Sequence, residues 1–210
     1  MIAVDGPSGV GKSTVSRRVA RHFDLHHLDT GALYRAATLA VLEAGVPRED
    51  TSRVTEVVRG LELDQSDGLT TLNGVDVSRV IRSEAVTDAV SEVSAIPEVR
   101  AILVEMQRQW VHAHDHRAVV EGRDIGSVVF PDASLKIYLT ADPDERARRR
   151  SGEAGTDHRT TRSAIERRDA YDSTRAASPL TVADGAIVID TTHLTLPEVV
   201  DLVIAEASLV

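Results

Sequence analysis

The segment that most constrains this chain lies at residues 6–13 and reads Gly-Pro-Ser-Gly-Val-Gly-Lys-Ser. It follows a short apolar run at residues 2–4 and opens a helical stretch at residues 14–22. A Gly-x4-Gly-Lys-Ser pattern between a strand and a helix is a P-loop, whose backbone N–H groups surround phosphate oxygens. The sequence therefore predicts a binding site for a nucleoside triphosphate, formed by Gly6, Pro7, Ser8, Gly9, Val10, Gly11, Lys12, Ser13 and Thr14.

Two side chains of this loop have chemical roles that follow from their positions. Lys12 is placed to reach the β- and γ-phosphates, and the hydroxyl of Ser13 is placed to bind Mg²⁺. The helix that follows adds the free N–H groups and the positive end of its dipole. We therefore expect Mg²⁺ to accompany ATP, with Ser13 as its protein ligand.

Composition indicates one folded domain of 210 residues, because 42% of the residues are hydrophobic and 27% are charged. The net charge of −9 argues against nonspecific nucleic-acid binding. Cysteine is absent, which excludes disulfides and thiolate chemistry. No apolar run approaches the roughly 20 residues of a membrane span, and the first strand begins too early for a signal peptide. We expect a cytoplasmic monomer.

Apolar runs alternate with helical segments along most of the chain, which predicts an α/β fold. The expected core is a five-stranded parallel sheet of the P-loop NTPase type, with helices on both faces. The predicted strands lie at residues 2–4, 27–28, 118–121, 135–139 and 186–189. The predicted helices lie at residues 13–22, 30–44 (with Thr30 as N-cap), 51–60, 83–94, 97–114, 143–150, 160–176 and 196–207.

Two segments depart from this alternation. Short strand-like runs flank Asn73-Gly74, a strong hairpin signal, and predict a small antiparallel insert within residues 51–95. Arginines concentrate after residue 145, and the polar segment 151–157 reads as a mobile loop between two basic helices. We expect residues 146–162 to form a lid. Helical spacing places Arg146 and Arg150 on one face and Arg148 elsewhere.

An acceptor that carries phosphate is usually held by arginines, whose planar fork matches phosphate oxygens. The ends of parallel strands are the expected place for such a site. Arg35, Arg123 and Arg175 all fall near predicted strand ends or in the adjoining helices. The eight histidines lack the spacing of a convincing metal site.

Several motifs together resemble the bacterial cytidylate kinase family, the (d)CMP kinases of the nucleoside monophosphate kinase group. Besides the P-loop, the resemblance rests on four segments. They are Leu-Asp-Thr-Gly-Ala-Leu-Tyr-Arg at 28–35, Val-Asp-Val-Ser-Arg-Val-Ile-Arg at 75–82, Gly-Arg-Asp-Ile-Gly-Ser-Val-Val-Phe-Pro-Asp-Ala at 122–133 and Arg-Arg-Asp-Ala-Tyr-Asp at 167–172. The resemblance runs nearly end to end, and it implies phosphoryl transfer from ATP to CMP or dCMP. It also implies that residues 51–95 form an insert that binds the nucleoside monophosphate.

The resemblance also implies roles for individual residues. Lys12, Arg123, Arg146 and Arg150 would be catalytic, and Arg35, Arg123 and Arg175 would hold the acceptor phosphate. Thr30, Ser91, Arg100, Gly122 and Asp124 would line the acceptor pocket, with Asp124 accepting from the cytosine amino group. Arg168 and Asp172 would reach the ribose. Arg159 would belong to the lid, and Glu121 would take the place of an aspartate that orients Mg²⁺ in many members.

Other functions remain as alternatives at this point. Adenylate and thymidylate kinases share the P-loop, and a shikimate-type kinase would be expected to show Asp-x-Asp where this chain has Asp29-Thr30-Gly31. A non-catalytic nucleotide-binding switch is a further alternative. A GTPase is excluded, because its guanine-reading motif is Asn-Lys-x-Asp. Asn73 is the only asparagine, and Gly74 follows it in place of lysine.

Overall fold

The computed structural model describes residues 1–66, 68–155, 157–174 and 180–209. The strands are β1 (Ile2–Asp5), β2 (His26–Asp29), β3 (Leu63–Ser66), β4 (Leu69–Leu72), β5 (Val75–Asp76), β6 (Ala118–Glu121), β7 (Leu135–Thr140) and β8 (Ile187–Asp190). The α-helices are α1 (Lys12–His22), α2 (Thr30–Glu43), α3 (Thr51–Arg59), α4 (Glu84–Ala95), α5 (Pro97–Ala113), α6 (Pro143–Ala154), α7 (His158–Thr174) and α8 (Leu196–Ala207). The predicted α/β fold with its five-stranded core is confirmed.

The central sheet has five strands in the order β2-β6-β1-β7-β8. β1 lies between β6 and β7 and is parallel to both, and β7 is parallel to β8. Strands buried on both sides are expected to be almost wholly apolar, and β1 and β6 are buried at every residue. This arrangement places the carboxyl end of β1, where the P-loop begins, in the middle of the sheet.

The chain divides into two compact units, one formed by residues 1–26 and 116–210 and the other by residues 27–115. In the first, α1 and α8 pack on the sheet through a core that includes Val19, Ile137, Leu139 and Val203. In the second, α2 is the central helix, and its apolar side chains contribute to two clusters. One cluster gathers α3, α4 and α5 around Ala37 and Val41, and the other includes Leu72 and Ile81.

A three-stranded antiparallel sheet, β3-β4-β5, lies within the second unit. Asn73 and Gly74 connect β4 to β5 with φ values of 50° and 78°, the left-handed conformation that a tight hairpin turn requires. The predicted hairpin is therefore confirmed. The assignment of residues 51–95 as a nucleoside monophosphate-binding insert stays a prediction.

Two local predictions are wrong. Thr30 is the first residue of α2 rather than its N-cap, because the Asp29 carboxylate accepts from the Ala32 N–H at 3.0 Å. Residues 151–154 continue α6 instead of forming a loop, and the helix ends where Gly155 adopts a left-handed conformation with φ 64°. A glycine at residue 152 costs a helix only about 1 kcal/mol, which flanking helix-forming residues offset.

We expect the substitution Leu139→Ala to lower the free energy of unfolding by about 2–5 kcal/mol, because it opens a cavity in the sheet core. Leu139 is 0% exposed on β7, whereas Leu202 on α8 is 45% exposed. Leu202→Ala is the matched control and should change stability by less than about 1 kcal/mol. Urea unfolding followed by circular dichroism measures both, and equal losses would contradict this account of the core.

Candidate active site

The P-loop leaves β1 through a glycine that no other residue can replace without movement of the backbone. Gly6 has φ 143°, and a Cβ atom there would lie 2.1 Å from the Leu139 carbonyl oxygen on β7. At the other end of the loop, Gly11 has φ 91° and is the N-cap of α1. The sequence places these glycines where the backbone needs left-handed or closely packed conformations.

Lys12 folds back over the loop that precedes it. Its Nζ donates to the carbonyl oxygens of Gly6 and Pro7, each at 2.7 Å. The ammonium group is thereby fixed above the loop rather than extended into solvent. A cation held there is correctly placed to attract anionic groups that enter the loop.

The side-chain oxygens of Ser13 and Glu121 lie together beside the loop. The Ser13 hydroxyl donates to Glu121 Oε2 at 2.8 Å, and Glu121 is buried at the end of β6. A hydroxyl and a carboxylate are the ligand types that Mg²⁺ prefers, and Mg²⁺ usually takes only one or two protein ligands, with phosphates and water completing its shell. Within the described ranges, no three His, Asp or Glu side chains are grouped as a metal site. The residues fit Mg²⁺ held together with a nucleotide.

Asp5, the last residue of β1, fixes the segment that carries Arg123 and Asp124. Its two carboxylate oxygens accept from the N–H groups of Ile125 and Gly126 at 2.8 and 2.7 Å. These residues begin a π-helical turn, Ile125–Val129. Burial of the carboxyl raises the pKa of Asp5 from 3.8 to about 6, although the two N–H donors act in the opposite direction.

Two arginines approach the P-loop from different elements of the first unit. Arg123 Nη1 donates to the Gly6 carbonyl at 3.4 Å, and Arg146 Nη1 donates to the Ser8 carbonyl at 3.3 Å. Both guanidinium groups also face the carboxylate of Asp169 on α7. Arg150, one turn after Arg146, is half-buried. The first unit therefore brings Lys12, Arg123 and Arg146 to one loop. Their catalytic roles stay a prediction.

The second unit holds four of the ten predicted acceptor-binding residues, Thr30, Arg35, Ser91 and Arg100. Arg35 is buried on α2, where its Nη1 donates to the Ile81 carbonyl at 3.1 Å and to Thr87 Oγ1 at 2.9 Å. Arg100 is buried on α5, with its guanidinium 5.3 Å from the centre of the Tyr34 ring. Thr30 is also buried, and Ser91 is half-buried on α4.

Gln65 holds the turn that presents Thr30, although no motif of the sequence points to this residue. Its side-chain amide accepts from the Asp29 N–H at 2.9 Å and donates to the Asp29 carbonyl at 2.6 Å. The Trp110 indole N–H donates to the Gln65 carbonyl at 3.1 Å, so this tryptophan has a structural contact. A glutamine on a short strand of the hairpin gives no sequence signal of such a long-range contact.

Three of the predicted acceptor-binding side chains lie outside the part of the chain that the structure describes. Arg175 lies outside the described residues, and so do the side chains of Arg168 and Asp172. The backbones of Arg168 and Asp172 belong to α7. Asp124 is buried at the start of the π-helical turn, and Gly122 and Arg123 precede it directly after β6.

The family model described as "Cytidylate kinase" matches residues 2–209. The chain belongs to the cytidylate kinase family. A curated cytidylate kinase from Nocardia farcinica is 50% identical over 210 residues, covering 96% of this chain and 90% of the relative. One from Streptomyces avermitilis is 47% identical over 209 residues, with 97% of this chain and 90% of the relative covered.

A solved structure supports the fold alone. It is an uncharacterized protein from Eubacterium ventriosum with a TM-score of 0.54 and 12% sequence identity, covering 99% of this chain and 97% of that one. Membership in the cytidylate kinase family therefore rests on the sequence relatives. The family assignment agrees with the resemblance that the sequence motifs indicate.

The raised pKa of Asp5 predicts a pH dependence of stability. The folded protein binds the proton of the Asp5 carboxyl more tightly than the unfolded chain does. Protonation of Asp5 therefore contributes fully to the free energy of unfolding below pH 3.8, and this contribution is lost as the pH rises through about 6. Relative to Asp5→Asn, the wild-type free energy of unfolding should fall by about 2 kcal/mol between pH 4 and pH 7.

Urea unfolding between pH 4 and 7 measures this difference. Asp132→Asn, which removes a carboxylate at an exposed position beyond the same π-helical turn, is the control and should give a curve parallel to wild type. If the Asp5→Asn curve is also parallel to wild type, the pKa of Asp5 is not raised.

Proposed function

We propose that this chain transfers the γ-phosphoryl group of ATP to CMP or dCMP, giving ADP and CDP or dCDP. The observation that carries the proposal is the cytidylate kinase match across residues 2–209. The geometry of the P-loop supports the donor half of the reaction, since Lys12, Arg123 and Arg146 gather around it. Residues 6–14 bind ATP in this proposal.

The reaction needs no covalent intermediate on the protein. An oxygen of the acceptor phosphate attacks the γ-phosphorus of ATP, and the bond from that phosphorus to the β–γ bridging oxygen breaks. Catalysis then depends on position and on charge stabilisation. Lys12, Arg123, Arg146 and Arg150 stabilise the charge on the transferred group, and Arg123 also holds the acceptor. Ser13 and Glu121 would hold Mg²⁺, which neutralises charge on the donor phosphates when bound.

Cytosine has an amino donor beside a ring-nitrogen acceptor, and uracil has the opposite pattern. In our proposal the buried Asp124 accepts from the amino group, and Arg100 or Ser91 donates to the ring nitrogen. Uracil would leave these groups mispaired, which costs about 1–3 kcal/mol for each buried group. Arg35 and Arg175 would bind the acceptor phosphate, Thr30 and Gly122 would line the pocket, and Arg168 and Asp172 would bind the ribose.

Further parts of the proposal come from the sequence. Residues 146–162 would form a lid, and the protein would act as a cytoplasmic monomer without nucleic-acid or membrane partners. Among the described residues, no helix is both long and apolar enough to cross a bilayer. An adenylate, thymidylate or shikimate-type kinase and a non-catalytic switch are the alternatives that the experiments below distinguish.

The two lysines of the chain give a matched test of the donor site. Lys12→Ala should lower kcat by about 100-fold or more, because the transferring group loses its nearest ammonium. Lys136 Nζ donates to the Asp184 carbonyl at 3.1 Å and makes no described contact with residues 6–14, so Lys136→Ala should leave kcat within about twofold. A coupled assay for ADP release from ATP and CMP measures both. Near-normal turnover by a folded Lys12→Ala variant would contradict the assignment.

Acceptor choice tests the second half of the proposal. With ATP as donor, wild type should use CMP and dCMP in strong preference to UMP, AMP, dTMP and shikimate. In Asp124→Ala the CMP-to-UMP ratio of kcat/KM should fall by about tenfold or more, since the group that recognises the amino donor is lost.

Arg123→Ala is the comparison, because it should lower kcat/KM for CMP and UMP by the same factor. An unchanged CMP-to-UMP ratio in Asp124→Ala would remove Asp124 from base recognition. A wild-type preference for AMP, dTMP or shikimate would favour one of the other kinases, and binding of ATP without phosphoryl transfer to any acceptor would favour a switch.

A further inference from the structure

Asp169, on α7, lies between two arginines that the proposed reaction uses. Its Oδ2 accepts a hydrogen bond from Arg146 Nη1, and its Oδ1 is 3.6 Å from Arg123 Nη1. Each carboxylate oxygen therefore faces a different guanidinium group. Arg123 follows β6 and Arg146 belongs to α6, so a residue of a third element joins them.

Both arginines are also attached to the backbone near the P-loop. Arg146 Nε donates to the Ala141 carbonyl at 3.1 Å, and its Nη1 reaches the Ser8 carbonyl. Arg123 Nη1 reaches the Gly6 carbonyl. These contacts fix where each arginine lies along the loop, whereas the carboxylate of Asp169 fixes the two guanidinium groups relative to each other.

The Asp169 carboxylate offsets repulsion between two guanidinium groups that are largely buried. The exposed side-chain fractions are 8% for Arg146, 15% for Arg123 and 18% for Asp169. Two cations that are largely removed from water repel each other more strongly than exposed cations do. A carboxylate between them offsets that repulsion, and without it the guanidinium groups would move apart or turn toward solvent.

We propose that Asp169 is a positioning residue for phosphoryl transfer. It sets the separation and orientation of Arg123 and Arg146, and it acts through them without touching either substrate. This inference rests on the proposed function, because it assigns the two arginines to the transferring phosphate. Small displacements of groups that stabilise a transition state can cost about 100-fold in rate.

The expected signature is a split between kcat and KM. Asp169→Asn keeps the size of the side chain but removes its charge, and it should lower kcat by about tenfold or more while KM for ATP and CMP stays within about threefold. Asp169→Glu, which restores the charge on a longer stem, should recover part of the loss. The unfolding midpoint of each variant is measured alongside, to confirm that the assayed protein is folded.

A double-mutant cycle separates positioning from a merely structural role. Because the proposed role is to set Arg146 relative to Arg123, Asp169→Asn should lower kcat by a clearly smaller factor in an Arg146→Ala background than in wild type. A structural defect would reduce kcat by the same factor in both backgrounds. Glu166→Gln on the same helix is the control, because it removes only an exposed ion pair with Arg162 and should leave kcat unchanged.

The possible outcomes are distinct. Equal loss in both backgrounds, or near-normal kcat in Asp169→Asn, overturns the role of Asp169 and leaves the proposed function intact. If Asp169→Asn does not fold, the same cycle is measured with Asp169→Glu, whose loss should also shrink in the Arg146→Ala background. A wild-type protein that phosphorylates neither CMP nor dCMP overturns both proposals.

Discussion

The close approach of β1 to β7 is the constraint on which the rest of the first unit depends. At Gly6 the backbone passes so near the Leu139 carbonyl that a Cβ would lie 2.1 Å from its oxygen. Only glycine permits this contact, and the turn it makes directs the loop carbonyls toward a single region. Lys12, Arg123 and Arg146 all donate to those carbonyls, so the steric condition at one residue decides where the cations gather.

The partners of these cations show how a chain with a net charge of −9 holds three cations around one loop. Backbone carbonyls carry only partial charge, and a single carboxylate, Asp169, is shared by two arginines. Phosphate oxygens are stronger acceptors than carbonyl oxygens because they carry full charge. An incoming phosphate therefore competes well for the same N–H donors, while the shared carboxylate limits how far the arginines must move.

Much of the fold could be predicted because its signals are local. The P-loop, the Asn73-Gly74 turn and the apolar strands each depend on residues that are neighbours in sequence, and each prediction was confirmed. The errors also have local causes. Asp29 and Thr30 are both good caps, and only the bond from Ala32 N–H decides between them. The polar composition of residues 151–154 suggested a loop, although α6 continues until Gly155 provides a left-handed end.

The residues that position the candidate site could not be predicted, because their partners are distant in sequence. Asp5 binds the turn that begins at Ile125, Gln65 binds Asp29, and Asp169 joins Arg123 to Arg146. Each is a polar side chain that uses both ends of a carboxylate or amide to hold two groups at once. Such a contact has no period or motif, since it depends on how separate elements pack. A motif identifies the groups that do chemistry, whereas these bidentate contacts determine the geometry in which those groups act.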